Sequence, residues 1–478
     1  MDKIDDDRLV TETVTFWRVM WRLLGASLLW SAPTAAEPIY SNKCGPGFYF
    51  SYSGEVLGDA PSTTSQKTVN CFAWRQFIGL NWPAAGRRFG EAGDRNPVRW
   101  QTFPSEAEVL RPAGHPSSIG RAPLPAPCAA RVRAAGVSRP DELTILQAPS
   151  GLKKKRSRIN STEQAGASNE EAAWVGASNN TNLWYEIRIN PEEAEYIVSN
   201  RLYDAEAQAA FVATGHPLVL PKGDADGPTG AIELKAAWME VPDPENSKWT
   251  YFKTSDAAIL DATGTDCRLT QVALVGLHII QKTARQPSFF WATFEHIDNV
   301  PDDSGPVSGS YNLYSDHCEP QSVMVDDPSC LAGQAAGATP RLVTIGCTPN
   351  SRPPYRVGGA CPAPRAIQTT RLTPIEPDTD DVNQMVQAGI GKTFPDSVWQ
   401  NYKLVNVQWA LGIAVDPEAP LAGSARLPKT LPSIPVANTT METYLQTTTC
   451  TTCHVNAALA NPSTYSADFS FVFQSAGR

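Results

Sequence analysis

The string Cys450-Thr451-Thr452-Cys453-His454 constrains this chain more than any other feature. It sets two thiols three residues apart and an imidazole directly after the second. On a helix, positions i, i+3 and i+4 share one face, so all three side chains can meet a single flat partner. At this chain's Cys and His frequencies, a C-x-x-C-H string arises by chance about 0.003 times, so the match carries weight. C-x-x-C-H is the attachment signature of a c-type haem: the thiols become thioethers on the porphyrin vinyl groups and the histidine ligates the iron. Two other readings compete. One is a plain disulfide between Cys450 and Cys453. The other is half of a zinc site, which needs a second close pair of ligands. No second C-x-x-C exists, and His317-Cys318 is the only other Cys/His neighbour.

Eight further cysteines remain: Cys44, Cys71, Cys128, Cys267, Cys318, Cys330, Cys347 and Cys361. Their even number permits up to four disulfides of undetermined connectivity, with free buried thiols as the alternative. Four of them lie between 318 and 361, a Pro/Gly-rich region with little periodicity that needs staples. Disulfides persist in oxidising compartments, and the N-terminus agrees. Arg18 and Arg22 precede the apolar run Leu23–Trp30, followed by Thr34-Ala35-Ala36 and a cleavage position before Glu37. The acidic leader Asp2–Glu12 fits an export signal badly, and a start at Met20 would give a cleaner one. The competing reading is a buried N-terminal helix. The run is too short to span a bilayer, and no other stretch approaches the ~20 apolar residues of a membrane helix. A mature chain in the periplasm or secreted, with no transmembrane segment, is the expectation.

Net charge is −9 and pI about 5.3. Nucleic acid is therefore a poor partner, because phosphate binding wants a basic surface. An acidic surface suits a basic periplasmic electron donor or acceptor protein. With 42% hydrophobic and 19% charged residues over 478 positions, the chain is globular.

The chain divides into a signal peptide (1–36), an irregular region with one helix (37–180), a β-rich body (181–437) and a haem-attachment segment (438–478). Val69–Asn81 reads as the helix of the second part, with an apolar stripe of Trp74, Phe77, Ile78 and Leu80. Lys153-Lys154-Lys155-Arg156 reads as a solvated loop. In the body, strands are expected at 183–190, 231–239, 250–254, 269–282, 289–296, 366–372 and 404–413. Helices are expected at 191–199, 203–214, 380–388 and 396–401. The strongest pattern is the hairpin of 269–282 and 289–296; if Lys282 faces Phe289, residue i faces 571 − i. Thr439 and Glu442 read as a capping box opening a helix that loosens through the threonine run. Phe469, Phe471 and Phe473 alternate like a final strand whose aromatic face covers the haem. The fold class is α+β, mainly antiparallel β with peripheral helices and a C-terminal haem-bearing helix.

Only 24 residues (478 − 454) follow His454, and none is Met or His. A second axial ligand must come from upstream or be absent. His278 and His296 sit on the two arms of the hairpin. In the 571 − i register His278 faces Thr293, while His296 lies on the other face; a one-residue slip would put both on one face. Both are candidates for the distal haem side, against an ordinary hydrogen-bonded role. Met239, Met324 and Met385 are weaker candidates, and Met441 lies too close in chain. Glu295, beside His296, is a candidate proton relay. Gly391-Lys392-Thr393 lacks the earlier P-loop glycine, and no H-E-x-x-H, G-x-S-x-G or G-x-G-x-x-G occurs. One covalent haem is the cofactor expected.

Over Glu442–Ala460 the chain resembles secreted bacterial monohaem c-type cytochromes, and Trp291–Asn299 and Trp399–Trp409 look like segments of large proteins of that family with a C-terminal C-x-x-C-H. The family resemblance implies covalent haem at Cys450 and Cys453, His454 as an axial ligand, and haem attachment outside the cytoplasm. Three functions follow as expectations: single-electron transfer, a haem oxidoreductase with an open distal position acting on a peroxide, a nitrogen oxide or a small organic substrate, and a gas or redox sensor.

Overall fold

A computed structural model of the chain describes residues 44–477 other than 46–47, 49, 62–64, 87, 111–122, 148–164, 166–173, 216, 304–306, 308, 333–338 and 410–434. The expected signal peptide, the basic run at 153–156, and His115 and His216 lie outside the described residues. The described helices are α1 (Gln66–Leu80), α2 (Glu106–Val109), α3 (Ala126–Ala134), α4 (Pro191–Ser199), α5 (Ala205–Ala213), α6 (Pro377–Thr393) and α7 (Cys450–His454). The strands are β1 (Thr144–Gln147), β2 (Leu183–Ile189), β3 (Ile232–Val241), β4 (Thr254–Leu260), β5 (Cys267–Gln281), β6 (Phe290–His296), β7 (Gln321–Val325), β8 (Arg341–Ile345) and β9 (Tyr402–Gln408).

Seven strands form one sheet in the order β1-β4-β5-β3-β2, with β6 beside β5 and β9 beside β6. Only β1–β4 is parallel. The spine is β5, whose 15 residues have three partners. One edge pairs with β3; the other pairs first with β4, over Cys267–Ala273, and then with β6, over Gly276–Gln281. The change of partner would orphan the carbonyls between the two ladders, and buried backbone groups need partners. Tyr402 Oη donates to Leu274 O at 2.8 Å, and Asn299 Nδ2 donates to Val275 O at 2.6 Å.

Strand alternation gives the sheet two apolar faces. α1 and α6 cover the first. Leu234, Ala236, Leu277, Ile279, Ala292 and Phe294 pack there with Phe72, Trp74 and Phe77 of α1. Phe77 stacks on Phe294 at 4.3 Å between ring centroids. Burying a side chain such as Phe72 or Phe77 contributes about 1.5–3 kcal/mol. α1 is buried on every side from Thr68 to Leu80, beyond the single stripe its sequence shows. Its polar residues are accordingly partnered: Asn70 Nδ2 donates to Thr379 Oγ1 and Trp74 Nε1 to Asn383 Oδ1, both at 3.0 Å and both onto α6. The second face carries the C-terminal segment.

The α+β class and the mainly antiparallel sheet agree with the sequence reading. The hairpin register runs as expected, from Gly276 opposite Glu295 to Gln281 opposite Phe290. Four disulfides close the eight cysteines outside the motif: Cys44–Cys71, Cys128–Cys267, Cys318–Cys347 and Cys330–Cys361.

Elsewhere the structure departs from expectation. The region 37–180 is not merely irregular: it supplies α3 and β1, and β1 joins the main sheet beside β4. The strand expected at 250–254 starts only at Thr254. Asn246 accepts from Lys248 N–H at 3.1 Å and starts a 3-10 turn at Ser247–Tyr251. The expected strand 366–372 meets its neighbours through an isolated bridge, Asp302–Arg371. The expected helix 396–401 is a 3-10 turn, Val398–Asn401. The expected last strand is broken by positive φ at Asp468 (51°) and Phe469 (69°) and continues as a 3-10 turn, Val472–Ser475.

The Cys128–Cys267 bridge spans 139 residues and fastens α3 to the start of β5. Restricting so long a loop in the unfolded chain favours the native state. Replacing both cysteines with Ser should lower stability by about 2–5 kcal/mol in urea denaturation; an unchanged midpoint would contradict this.

Candidate functional site

The second face of the sheet is defined by two cross-strand rows, Lys235–His278–Thr293 and Ala237–Gly276–Glu295. Residues 438–448 lie against it as consecutive turns rather than the expected helix. The reason is local competition for the backbone. Asn438 Oδ1 accepts from Thr440 N–H at 3.0 Å, Thr443 Oγ1 donates to Thr439 O at 2.5 Å, and Asn438 N–H donates to Glu442 Oε2 at 2.8 Å. Short polar side chains offer the chain such alternatives to helix.

The segment is fixed to the sheet by polar anchors. Asn438 Nδ2 donates to Thr293 Oγ1 and Phe294 O, both at 2.9 Å. Tyr185 Oη donates to Thr440 O at 2.6 Å. Close approach requires Gly276, where a Cβ would stand 2.2 Å from Thr440 Oγ1. Glu295 is fully buried and receives the Thr439 N–H, the Thr439 hydroxyl at 3.0 Å and the Arg371 guanidinium. Its two oxygens are therefore occupied. The expected proton relay is, in this fold, the clamp that holds the C-terminal segment on β6.

The clamp delivers α7 to one place. This helix has five residues, Cys450–His454, and Thr449 Oγ1 caps it by accepting from Thr452 N–H at 3.2 Å. Cys450 N–H donates to Gln408 Oε1 of β9 at 2.8 Å. His454 Nδ1 lies 2.8 Å from Phe469 O. A carbonyl only accepts, so Nδ1 carries the proton and Nε2 keeps its lone pair. The ring stands 4.5 Å from Trp291 and 4.8 Å from Phe471, between centroids. Burial pushes the imidazole down to about 4, and the charges of His278 and Lys235 push the same way. A neutral imidazole whose other nitrogen is held by a carbonyl is the form in which histidine ligates a metal.

Cys450 and Cys453 are the free cysteines among the described residues. Burial, reinforced by the Glu442 charge, raises the Cys450 thiol far above its usual range, and burial also raises Cys453. Both are thus thiols rather than thiolates at neutral pH. Among the described residues no group of three or more His, Cys, Asp or Glu converges to hold a metal ion. Among those residues the zinc reading finds no second pair of ligands. Haem attachment makes a different demand: two thiols for thioethers and one imidazole nitrogen. Cys450, Cys453 and His454 Nε2 meet it.

The structure brings His278 to this site and not His296. His278 projects from β5 beside Lys235; its Nε2 is 3.1 Å from Glu442 Oε1, and its charge acts on His454. Burial pushes the Glu442 carboxyl up, but His278, Lys235 and the Asn438 N–H outweigh this and hold it below its usual range. His296, on the opposite face of β6, stacks on Phe252 at 3.8 Å. Its Nδ1 accepts from Asp298 N–H and its Nε2 donates to Tyr251 O, both at 3.2 Å. Both nitrogens are used, so His296 is a core histidine here and a distal role is corrected. Met324 is exposed; Met239 and Met441 belong to the cluster around Tyr185, and Met385 packs with α1. The aromatic stripe of α1 packs on Phe294 and Trp399, away from the motif. Sequence reasoning missed Trp291, Lys235 and Glu442 as parts of the site. The 571 − i register already put Trp291 and Thr293 on the face of His278, and that signal was enough to find Trp291.

Two outcomes follow. Glu295→Gln leaves buried Arg371 with only the exposed Asp302 carboxylate at 3.7 Å and should cost about 3–5 kcal/mol in thermal or urea denaturation; a loss below about 1 kcal/mol would contradict the clamp. His296 is held down to about 3 by burial. Below its unfolded value near 6.5, the unfolded chain gains a proton that the folded chain refuses. Stability is thus lost as pH falls from about 6.5 toward 3, by about 2 kcal/mol at pH 5. His296→Gln should remove that share of the pH dependence in urea titrations at pH 7.5 and 5; an unchanged slope would contradict it. No protein-family model, no curated protein and no solved structure matches this chain.

Proposed function

We propose that this chain is a periplasmic or secreted c-type cytochrome carrying one covalent haem on Cys450 and Cys453, with His454 as an axial ligand, and that it transfers single electrons to a partner protein. One observation carries the reading: the eight other cysteines are disulfide-bonded, the motif pair alone is free, and the imidazole beside it is neutral with Nε2 available. The bound group would supply a one-electron Fe(III)/Fe(II) couple. The chain's own residues do the rest. Phe469 O holds the His454 tautomer and raises its basicity as a ligand. Trp291 and Phe471 flank the half-buried imidazole, and Phe469 packs behind Trp291. Four disulfides support an oxidising compartment, and no described helix is long and apolar enough to cross a membrane. His278 is the candidate residue for the distal side.

The His278–Glu442 pair favours a second reading, a haem-dependent oxidoreductase with an open distal position. An imidazole held by a carboxylate is poised as a general base or hydrogen-bond donor. Visible spectra with and without carbon monoxide separate the two. A reduced low-spin spectrum indifferent to carbon monoxide supports electron transfer; a high-spin spectrum that shifts supports the oxidoreductase. The haem assignment has its own outcome. In the Cys450→Ala/Cys453→Ala variant, acid-acetone should extract the haem that wild type retains; haem still bound to the variant polypeptide would contradict the assignment.

A further inference from the structure

One row of the sheet away from Lys235 and His278 lies a pair of acidic residues that the site does not use. Glu233, on β3, sits in the row Ile189–Glu233–Ile280–Trp291, on the face that carries the C-terminal segment. Glu193, in the first turn of α4, reaches the same spot. Glu193 is fully buried and Glu233 nearly so. Their carboxyl groups approach closely enough to share a proton. No N–H or O–H donor of the protein reaches either Glu193 oxygen or Glu233 Oε1. The Ser470 hydroxyl serves the other Glu233 oxygen.

Two ionised carboxylates cannot remain in contact without a donor or a cation between them. The nearest cation is committed elsewhere. Lys282, at the end of β5, is ion-paired to Asp468, which also accepts from Leu220 N–H at 2.8 Å. The other charged or titratable groups facing the cluster are Lys222 and the Tyr196 hydroxyl. The contact therefore requires one proton between Glu193 and Glu233. Burial pushes both carboxyls up, and each is pushed further by the neighbouring Asp468 charge. Trp291 stands in the Glu233 row, two strands away, and its ring is 4.5 Å from the His454 ring. Buried Ile280 and Trp291 lie between the pair and His454, so a charge at His454 acts on the pair through protein rather than through water.

We propose that Glu193 and Glu233 form a proton-binding site coupled to the electron carried at Cys450–His454. When a one-electron donor protein reduces the site, the pair, which already shares one proton, binds a second from solvent; on oxidation by the acceptor, the electron and that second proton both leave. No bond other than the O–H forms or breaks. The coupling rests on the haem reading.

The test is the midpoint potential of the holoprotein by spectroelectrochemistry from pH 5 to 9, for wild type, Glu193→Gln and Glu233→Gln. Covalent haem is verified first by the pyridine spectrum of the denatured chain. Wild type should show a potential that falls with pH, by up to about 59 mV for each tenfold drop in proton concentration. In the Gln variants that dependence should shrink by at least half over the same range. A pH-independent wild-type potential overturns the proposal without any variant. A slope kept in full by both variants overturns it too, since the proton then binds elsewhere. Absence of covalent haem overturns the haem reading, and the coupling with it.

Discussion

The carboxylate of Glu295 is the interaction on which the C-terminal third of this architecture depends. It is buried on β6 and joins two distant pieces of chain, Arg371 and Thr439, at one point. A buried ion pair is weak evidence of net stability, because desolvation offsets most of its attraction. Its value here is positional. Residues 438–448 have no regular hydrogen-bonded structure to define their path. Without a directional anchor they would have many ways to cover an apolar face. Glu295, Thr293 and the bare backbone at Gly276 leave one, and the five residues of α7 then fall beside His278 and Trp291.

The sheet makes that anchor possible. β5 exchanges β4 for β6 midway along one edge, and the exchange is tolerated because Tyr402 and Asn299 satisfy the carbonyls in the gap. The two faces then divide their work. The α1/α6 face is a close-packed aromatic core around Phe77 and Phe294. The other face is mixed, with apolar packing at Trp291 and Ile280 and polar residues at Lys235, His278, Thr293 and Glu295. A polar row on a buried face needs partners. The C-terminal segment supplies them, and the chemistry of the site sits where it does so.

Much of this was legible in the sequence, and the failures have physical causes. Strongly periodic stretches read correctly within a residue or two: the 183–190 strand, the paired helices after it and the two arms of the 269–296 hairpin, and of the registers the sequence left open the structure adopts 571 − i. The even cysteine count anticipated four bridges. β1 was missed because four residues carry little pattern and its pairing with β4 is non-local. The helix expected from Thr439 failed because Asn438 binds the Thr440 N–H and Thr439 gives both its N–H and its hydroxyl to the distant Glu295 carboxylate. His278 and His296 are indistinguishable by composition; only the face they occupy separates them, and the sequence left open a one-residue slip that would have put both on one face. Glu295 read as a relay because sequence shows a carboxylate and not the Arg371 that reaches it from 76 residues away.

The haem proposed on Cys450 and Cys453 would be placed by this segment. That proposal is tested most directly by the intact mass of the purified holoprotein under denaturing, reducing conditions, followed by mapping of the peptide that contains residues 450–454. The expected result is a polypeptide heavier by one haem, with the added mass on that peptide. A chain at its bare polypeptide mass, with free or disulfide-linked thiols at Cys450 and Cys453 after expression with a haem-attachment system, would contradict it.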